Sequence, residues 1–337
     1  MPGSASDDSA AILARVTRSG EPESLHRGSV VITKDDAVLH AWGNPDTPVF
    51  TRSAVKPFQM LPFLERGLAD RYGVSPAELA VLVASHSGTP EHVAIVRGLM
   101  KKLGVEEGEL RCGPHAPYDV QASIAIARAG EKPKPVHNNC SGKHVGFVRL
   151  ARELGTDVER YLDPATPAQL EVKAAVRTMT GAAEGDLFVG IDGCGAPTFR
   201  MPLVALARGF GRLATPTGCP PQRVAALRAM LGAVTAFPRV FSGAGRLEEA
   251  LLTALPGRIF PKNGAEGIYA IGLAGTGLGV AIKVDDGNER GYFPVVVALL
   301  QRLGVISDVP EVLERFRRLP IVNTQKLVVG HVESALS

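Results

Sequence analysis

The sequence predicts an α/β protein in which a mainly antiparallel sheet is built from both chain ends, with helices on its faces and a helical lobe in the middle. Three observations carry that expectation: short alternating or β-branched runs over the first 45 residues, capped helical segments through the centre, and a second set of strand-like runs near the C-terminal end. The opening runs are "AILARVTRSG", "HRGSVVITKD" and "DAVLHAWGN", and the "KDD" at 34–36 is placed to turn a hairpin. Helix signals follow. Ser75-Pro76-Ala77-Glu78 has the form of a capping box with proline at the first helical position. Thr89-Pro90 opens "EHVAIVRGLMKKLG", which stops at Gly104, and Thr166-Pro167 and Pro220-Pro221 open two further helices. Late in the chain "EGIYAIGLAG" and "LGVAIKVDDG" read as a hairpin, "FPVVVALLQRLG" as an apolar helix, and "KLVVGHVES" as a last strand. The expected layout is a single domain over 1–337, with an α/β lobe at about 10–60 plus 255–337 and a helical lobe at about 61–254. A ligand cleft between the lobes follows.

Composition narrows the function. The chain has 337 residues, 45% hydrophobic and 21% charged, the balance of a soluble globular protein. A net charge of +3 without a long basic run implies neither nucleic acid nor an anionic membrane as partner. No apolar run reaches membrane-spanning length, and the polar N-terminal tail has no signal-peptide core, so a cytoplasmic protein is expected. In that compartment Cys112, Cys140, Cys194 and Cys219 are expected as thiols or ligands rather than disulfides. The expected partners are a small-molecule substrate and a second copy of the chain in a homodimer.

Ser53 and Lys56, three apart in "FTRSAVKPF", can share a helix face, where a desolvated lysine could take the serine proton. In a chain with 16 Ser and 11 Lys the spacing alone is cheap. It gains weight from two later motifs: "ASHSG", with Ser85 and Ser87, and "FPKNGAEGIYAIG", with Lys262 leading into the late hairpin. In order and setting these resemble the S-x-x-K, S-x-N and K-[TS]-G signature of penicillin-binding proteins and serine β-lactamases. "SHS" lacks the Asn and "KNG" replaces the small hydroxyl residue. The chemistry this suggests is attack by Ser53 on a carbonyl, with Lys56 as its base. Ser85 and Lys262 form a second pair that relays a proton to the leaving group, and backbone N–H groups, Ser53's own among them, form an oxyanion hole.

Two more islands complete the pattern. "PVHNNCSGKHVGFV" crowds His, Asn, Cys, Ser and Lys between apolar flanks, and "FVGIDGCGAPTF" sets Asp192 and Cys194 after a short strand-like run. With "RSAVKPFQ", "SHSG", "HNNCSGKH", "DGCG" and "KNGAEG" in that order, nearly the whole chain resembles the rhizobial-type asparaginases of the asparaginase II family. The resemblance implies a serine β-lactamase-like fold and hydrolysis of L-asparagine to L-aspartate and ammonia through an acyl-enzyme on Ser53. It further implies Ser53, Lys56, Ser85 and Lys262 as the two catalytic tandems, a zinc held by Cys140, Lys143 and Cys194, and His144 and Asp192 beside it near the substrate. A related amidase, a glutaminase or a β-lactam-interacting serine hydrolase would fit the same residues. A non-catalytic amino-acid-binding domain is the alternative from another class, and the intact nucleophile pairs argue against it. Cys112 and Cys219 match no position of the family pattern and are read as structural, as are His86 and His92. "GTGLGV" at 275–280 lies between two strand-like runs and is read as a hairpin turn, not a nucleotide loop.

Overall fold

The computed structural model describes residues 10–336, and the polar N-terminal tail read from the sequence falls largely outside the described residues. The opening runs form β1 (Ala11–Arg18), β2 (Glu21–Lys34) and β3 (Ala37–Trp42), followed by the short β4 (Pro48–Phe50). Strands β5 (Phe188–Ile191) and β6 (Pro197–Pro202) lie in the middle of the chain. The late runs give β7 (Ile259–Gly264), β8 (Ile268–Leu273) and β9 (Leu278–Val284), then β10 (Arg318–Val322) and β11 (Val328–Ser334).

The main sheet runs β10-β11-β1-β2-β9-β8-β7, with β3 also paired to β2, and every pairing is antiparallel. It joins the two chain ends directly: β1 pairs with β11 and β2 with β9. β8 is buried along its whole length, Ile268 to Leu273, as a strand covered on both faces must be. One cover is the helix Leu203–Ala214, which presses Leu206, Ala207 and Phe210 against the sheet. The approach is so close that a Cβ on Gly279 would lie 1.9 Å from the Ala207 carbonyl oxygen, which reserves that position for glycine. Another is the helix Phe293–Arg302, packed against β11 and β1.

Capped helices fill the rest. Ser75 Oγ accepts from the Glu78 N–H while Glu78 accepts from the Ser75 N–H at 2.7 Å, and the helix Pro76–Leu82 follows. Thr89 and His92 make the same reciprocal cap for Pro90–Leu103, which ends on Gly104 in the left-handed region. The lobe at 61–254 is not purely helical. It supplies β5 and β6, which with β4 make a second sheet in the order β4-β6-β5, and its helix Leu203–Ala214 belongs to the main sheet's packing. The small sheet matters most for the site, because it fastens the segment before Ser53 to the hairpin that carries "DGCG". Among the described residues no helix is long and apolar enough to cross a membrane.

Candidate active site

Ser53 is placed by strand pairing and backbone strain together. After β4, the Thr51 N–H and hydroxyl both donate to the Phe199 carbonyl of β6, at 2.8 and 3.0 Å. Arg52 then sits at φ +48°, a left-handed conformation uncommon for a non-glycine residue and frequent where function fixes the backbone. Its guanidinium is held by Asp192 at 2.8 Å. The chain then enters a 3-10 turn, Arg52–Val55, continued by the helical turn Lys56–Gln59. Ser53 emerges half-buried in a cleft of about 280 Å³, whose lining includes Ser85, Tyr118, Asn139 and Asn263.

Below the cleft two buried amines converge on one hydroxyl. Lys56 Nζ donates to Ser85 Oγ at 3.0 Å and to the Ala84 carbonyl at 2.6 Å. Lys262 Nζ donates to the same Ser85 Oγ at 2.8 Å, across 177 residues of sequence, and to Asn263 Oδ1 at 2.8 Å. The asparagine of "KNG" thus serves the lysine directly. Ser85 lies just beyond the helix Pro76–Leu82, and Lys262 lies on β7, the edge strand of the main sheet. Lys56 and Lys262 are 0% and 1% exposed. Burial holds the Lys56 amine below its ordinary value, and burial together with the neighbouring Lys56 charge holds Lys262 well below its own. The Lys56 amine bonds to Ser85 and carbonyl oxygens rather than to Ser53 three residues earlier. Its long stem carries it past the serine to the richest group of acceptors.

A second cluster adjoins the first. Cys140 caps the helix Ser141–Glu153, whose first ten residues include Ser141, Lys143 and His144, all buried. Cys194 comes from the β5–β6 turn, closed by the Asp192 N–H donating to the Ala196 carbonyl at 2.9 Å. Lys143 Nζ lies 3.4 Å from Cys194 Sγ, and Cys140 is hydrogen-bonded to Cys194. The Cys140 bond and the Lys143 charge draw the Cys194 thiol down to about 5, while that same bond and burial push Cys140 up to about 12. Burial opposes the charge on Lys143, but Cys194 and Cys140 outweigh it and raise the amine above its ordinary value. Among the described residues no three His, Cys, Asp or Glu side chains gather as metal ligands. This set instead joins two buried cysteines, ordinary zinc ligands, to a lysine, which is outside the usual set and binds a metal only as a neutral amine.

His144 and Asp192 lie beside this second cluster and are not part of the cleft lining. His144 is fully enclosed, with Nδ1 2.6 Å from the Tyr161 hydroxyl, which itself accepts from the Arg111 N–H at 2.8 Å. Burial and Lys143 bring the His144 imidazole down to about 3. Burial works against the Asp192 charge, but Lys143 and Arg52 hold its carboxyl below the ordinary range. Cys112 is buried near the Pro135 carbonyl, and Cys219 is half-buried outside both clusters. His86 is enclosed between the Gly88 N–H and Ser141 Oγ, and its ring stacks on His92 at 5.0 Å. Arg52, Tyr118, Asn139, Asn263 and Arg246 belong to the site without having been singled out from the sequence. Arg52, Asn139 and Asn263 carried a local signal, each beside a motif residue.

Hydroxyl and amine groups so disposed beneath a small cleft give this α/β scaffold a candidate serine-and-lysine active site. No curated protein matches the chain. A family model does, over residues 14–334, and the chain belongs to the L-asparaginase II family. Solved structures similar to it include Mglu in its native form, with TM-score 0.43 and 12% identity over 82% of this chain and 64% of that one. This chain therefore spans less than two thirds of the length of Mglu. Also similar are a probable glutaminase from Bacillus subtilis complexed with 6-diazo-5-oxo-L-norleucine (TM-score 0.39, 12% identity, 81% and 83% covered) and a putative β-lactamase from Bacteroides dorei DSM 17855 (0.41, 14%, 76% and 84%).

Proposed function

We propose that the protein hydrolyses the side-chain amide of L-asparagine to L-aspartate and ammonia, with Ser53 as the acylated residue. The observation that carries this reading is the pair of buried amines, Lys56 and Lys262, bonded to one hydroxyl, Ser85, in the cleft that Ser53 lines. Desolvated amines lean toward their neutral form, which can accept a proton near neutral pH. Ser53 Oγ attacks the amide carbon and its proton passes to the Lys56 amine. Ser85 and Lys262 return a proton to the departing nitrogen, which leaves as ammonia, and an ester to Ser53 remains. Water, deprotonated by the same groups, then cleaves the ester to L-aspartate and restores the serine.

Cys140, Lys143 and Cys194 would hold a zinc ion in this reading. Bound there, it would orient the substrate and would not activate water, since Ser53 already supplies the nucleophile. Lysine joins such a set only through its neutral amine, which a nearby cation favours. Metal content by elemental analysis tests the site: native protein is expected to carry zinc, and Cys140→Ala and Cys194→Ala to lose it and to raise KM more than they lower kcat. Native protein without metal and with full activity would remove zinc from the mechanism.

Ammonia release from L-asparagine and L-glutamine, assayed in parallel with the colour change of a chromogenic β-lactam, tests the activity. L-Asparagine is expected to turn over fastest; no ammonia from L-asparagine, or faster release from L-glutamine, would overturn the reading.

A further inference from the structure

The lining of the Ser53 cleft also includes Arg246, Glu266 and Glu289. Arg246 sits at the start of the helix Leu247–Ala254, with its side chain 26% exposed. Its Nε is buried and has no hydrogen-bond partner. The acids nearest it, Glu248 Oε2 at 3.6 Å and Glu289 Oε2 at 3.9 Å, attract the charge from beyond hydrogen-bond distance. A guanidinium offers five N–H donors in a fork shaped for a carboxylate, and a buried donor without a partner is costly until a ligand supplies one.

The position of Arg246 is built in. Ser87, the second serine of "SHS", donates from Oγ to the Ser242 carbonyl at 3.0 Å. Gly243 packs so tightly there, at φ +142°, that a Cβ would fall 1.9 Å from Ser87 Oγ. The Ser87 carbonyl accepts from the Asp119 N–H at 2.9 Å, which brings the neighbouring Tyr118 to the same cleft. Ser87 therefore fixes both segments that reach the cleft here, although it is not itself part of the lining.

The charges are arranged for a zwitterion. Glu248, 3% exposed, balances Arg246 within the protein, while the Glu289 side chain is 56% exposed. Arg52 and Asp192 carry the same two charges, but they are already hydrogen-bonded to each other at 2.8 Å, and Asp192 Oδ1 also accepts from the Gly193 N–H. Resting on Ser53 as the acylated residue, we infer that Arg246 binds the α-carboxylate and Glu289 the α-ammonium of the substrate, so that the cleft selects free amino-acid amides. A zwitterion exchanges one loose 3.9 Å pair for two close ones without changing the net charge. An amide without the α-carboxylate leaves the Arg246 donor without a hydrogen-bond acceptor, and one without the α-ammonium sets two carboxylates near each other.

The test compares L-asparagine with β-alaninamide, which lacks the α-carboxylate, and with succinamate, which lacks the α-ammonium. Arg246→Met is expected to cut the kcat/KM preference for L-asparagine over β-alaninamide on the order of 100-fold, and Glu289→Gln the preference over succinamate by roughly 10-fold. Equal losses on both members of a pair, or unchanged preferences, would overturn the assignment. Arg246→Lys, and Arg246→Met combined with Glu248→Gln, guard against a fold lost through an unpaired Glu248. If the wild-type protein releases no ammonia from any of the three, the proposed activity fails. Calorimetric binding of L-aspartate then decides the anchor: binding that Arg246→Met abolishes supports it, and no binding by the wild type sinks it.

Discussion

Lys56 and Lys262 beside Ser85, and Lys143 beside Cys194, are all buried, and yet their amines shift in opposite directions. Burial opposes the charge in each case. What differs is the partner. Ser85 Oγ, Asn263 Oδ1 and backbone carbonyls are neutral and leave desolvation in command. Cys194, drawn down to about 5, supplies a negative charge that more than offsets it. The comparison teaches that burial alone does not decide the state of a buried amine. Without metal, the chain keeps two lysines ready to take protons and a third ready to hold charge, a charge that Lys143 would give up as a proton on binding zinc.

The largest expected effect falls on the proton-taking side. Ser53→Ala should lower ammonia release by about 10⁴-fold or more while the protein still folds, because the amines would have no nucleophile to serve. Circular dichroism with steady-state kinetics checks this, and substantial residual turnover would move the reaction off Ser53. On the other side, Cys194→Ala leaves Lys143 enclosed without its sulfur partner. It should cost about 3–5 kcal/mol of stability in urea unfolding, the usual penalty for orphaning one member of a buried pair. A loss near zero would mean that the thiolate does not hold that charge.

The titration of Lys262 sharpens the contrast further. Folded, its amine gives up its proton well below 10.5; unfolded, it keeps it up to that value. Between the two the unfolded chain binds the extra proton, so stability rises with pH toward 10.5, by about 1.4 kcal/mol per pH unit for this group. Lys262→Met should remove that share of the slope in denaturant titrations at several alkaline pH values, and an unchanged slope would show the amine charged in the fold. The smallest effect is expected at Tyr161→Phe, which deletes the hydroxyl shared by His144 and the Arg111 N–H. A loss of about 1–2 kcal/mol, with zinc content unchanged, would show that this wall of the charged cluster supports its shape rather than its ligands.

Much of the scaffold was legible because its signals are local. Ser75-Pro76 and Thr89-Pro90 carry their caps within four residues, and the late strands announce themselves by composition. The small sheet was hidden for the opposite reason: β4 has three residues, β6 begins and ends with proline, and their pairing joins Phe50 to Arg200. The motif residues could be read, but not where their side chains reach. Ser53 and Lys56 suggest a pair by spacing, whereas the amine is drawn to acceptors at Ala84 and Ser85 contributed by another segment. Arg246 gave no sign at all, since one arginine after "SGAG" resembles any other until Ser87 and Gly243 bring its loop to the cleft.

The pairing of β1 with β11 and of β2 with β9 has a consequence for biosynthesis. Each of the first two strands leaves the ribosome with one permanent neighbour some 250 to 320 residues still to come. Until residues past 278 are made, β2 presents apolar Val30, Val31 and Ile32 along an edge that lacks β9. Contacts so distant in sequence close slowly, and an edge left open for that time invites pairing with another nascent chain. The vulnerable period in this protein's life is its own synthesis, and the cellular factors that matter most to its yield are those that shield an unfinished sheet.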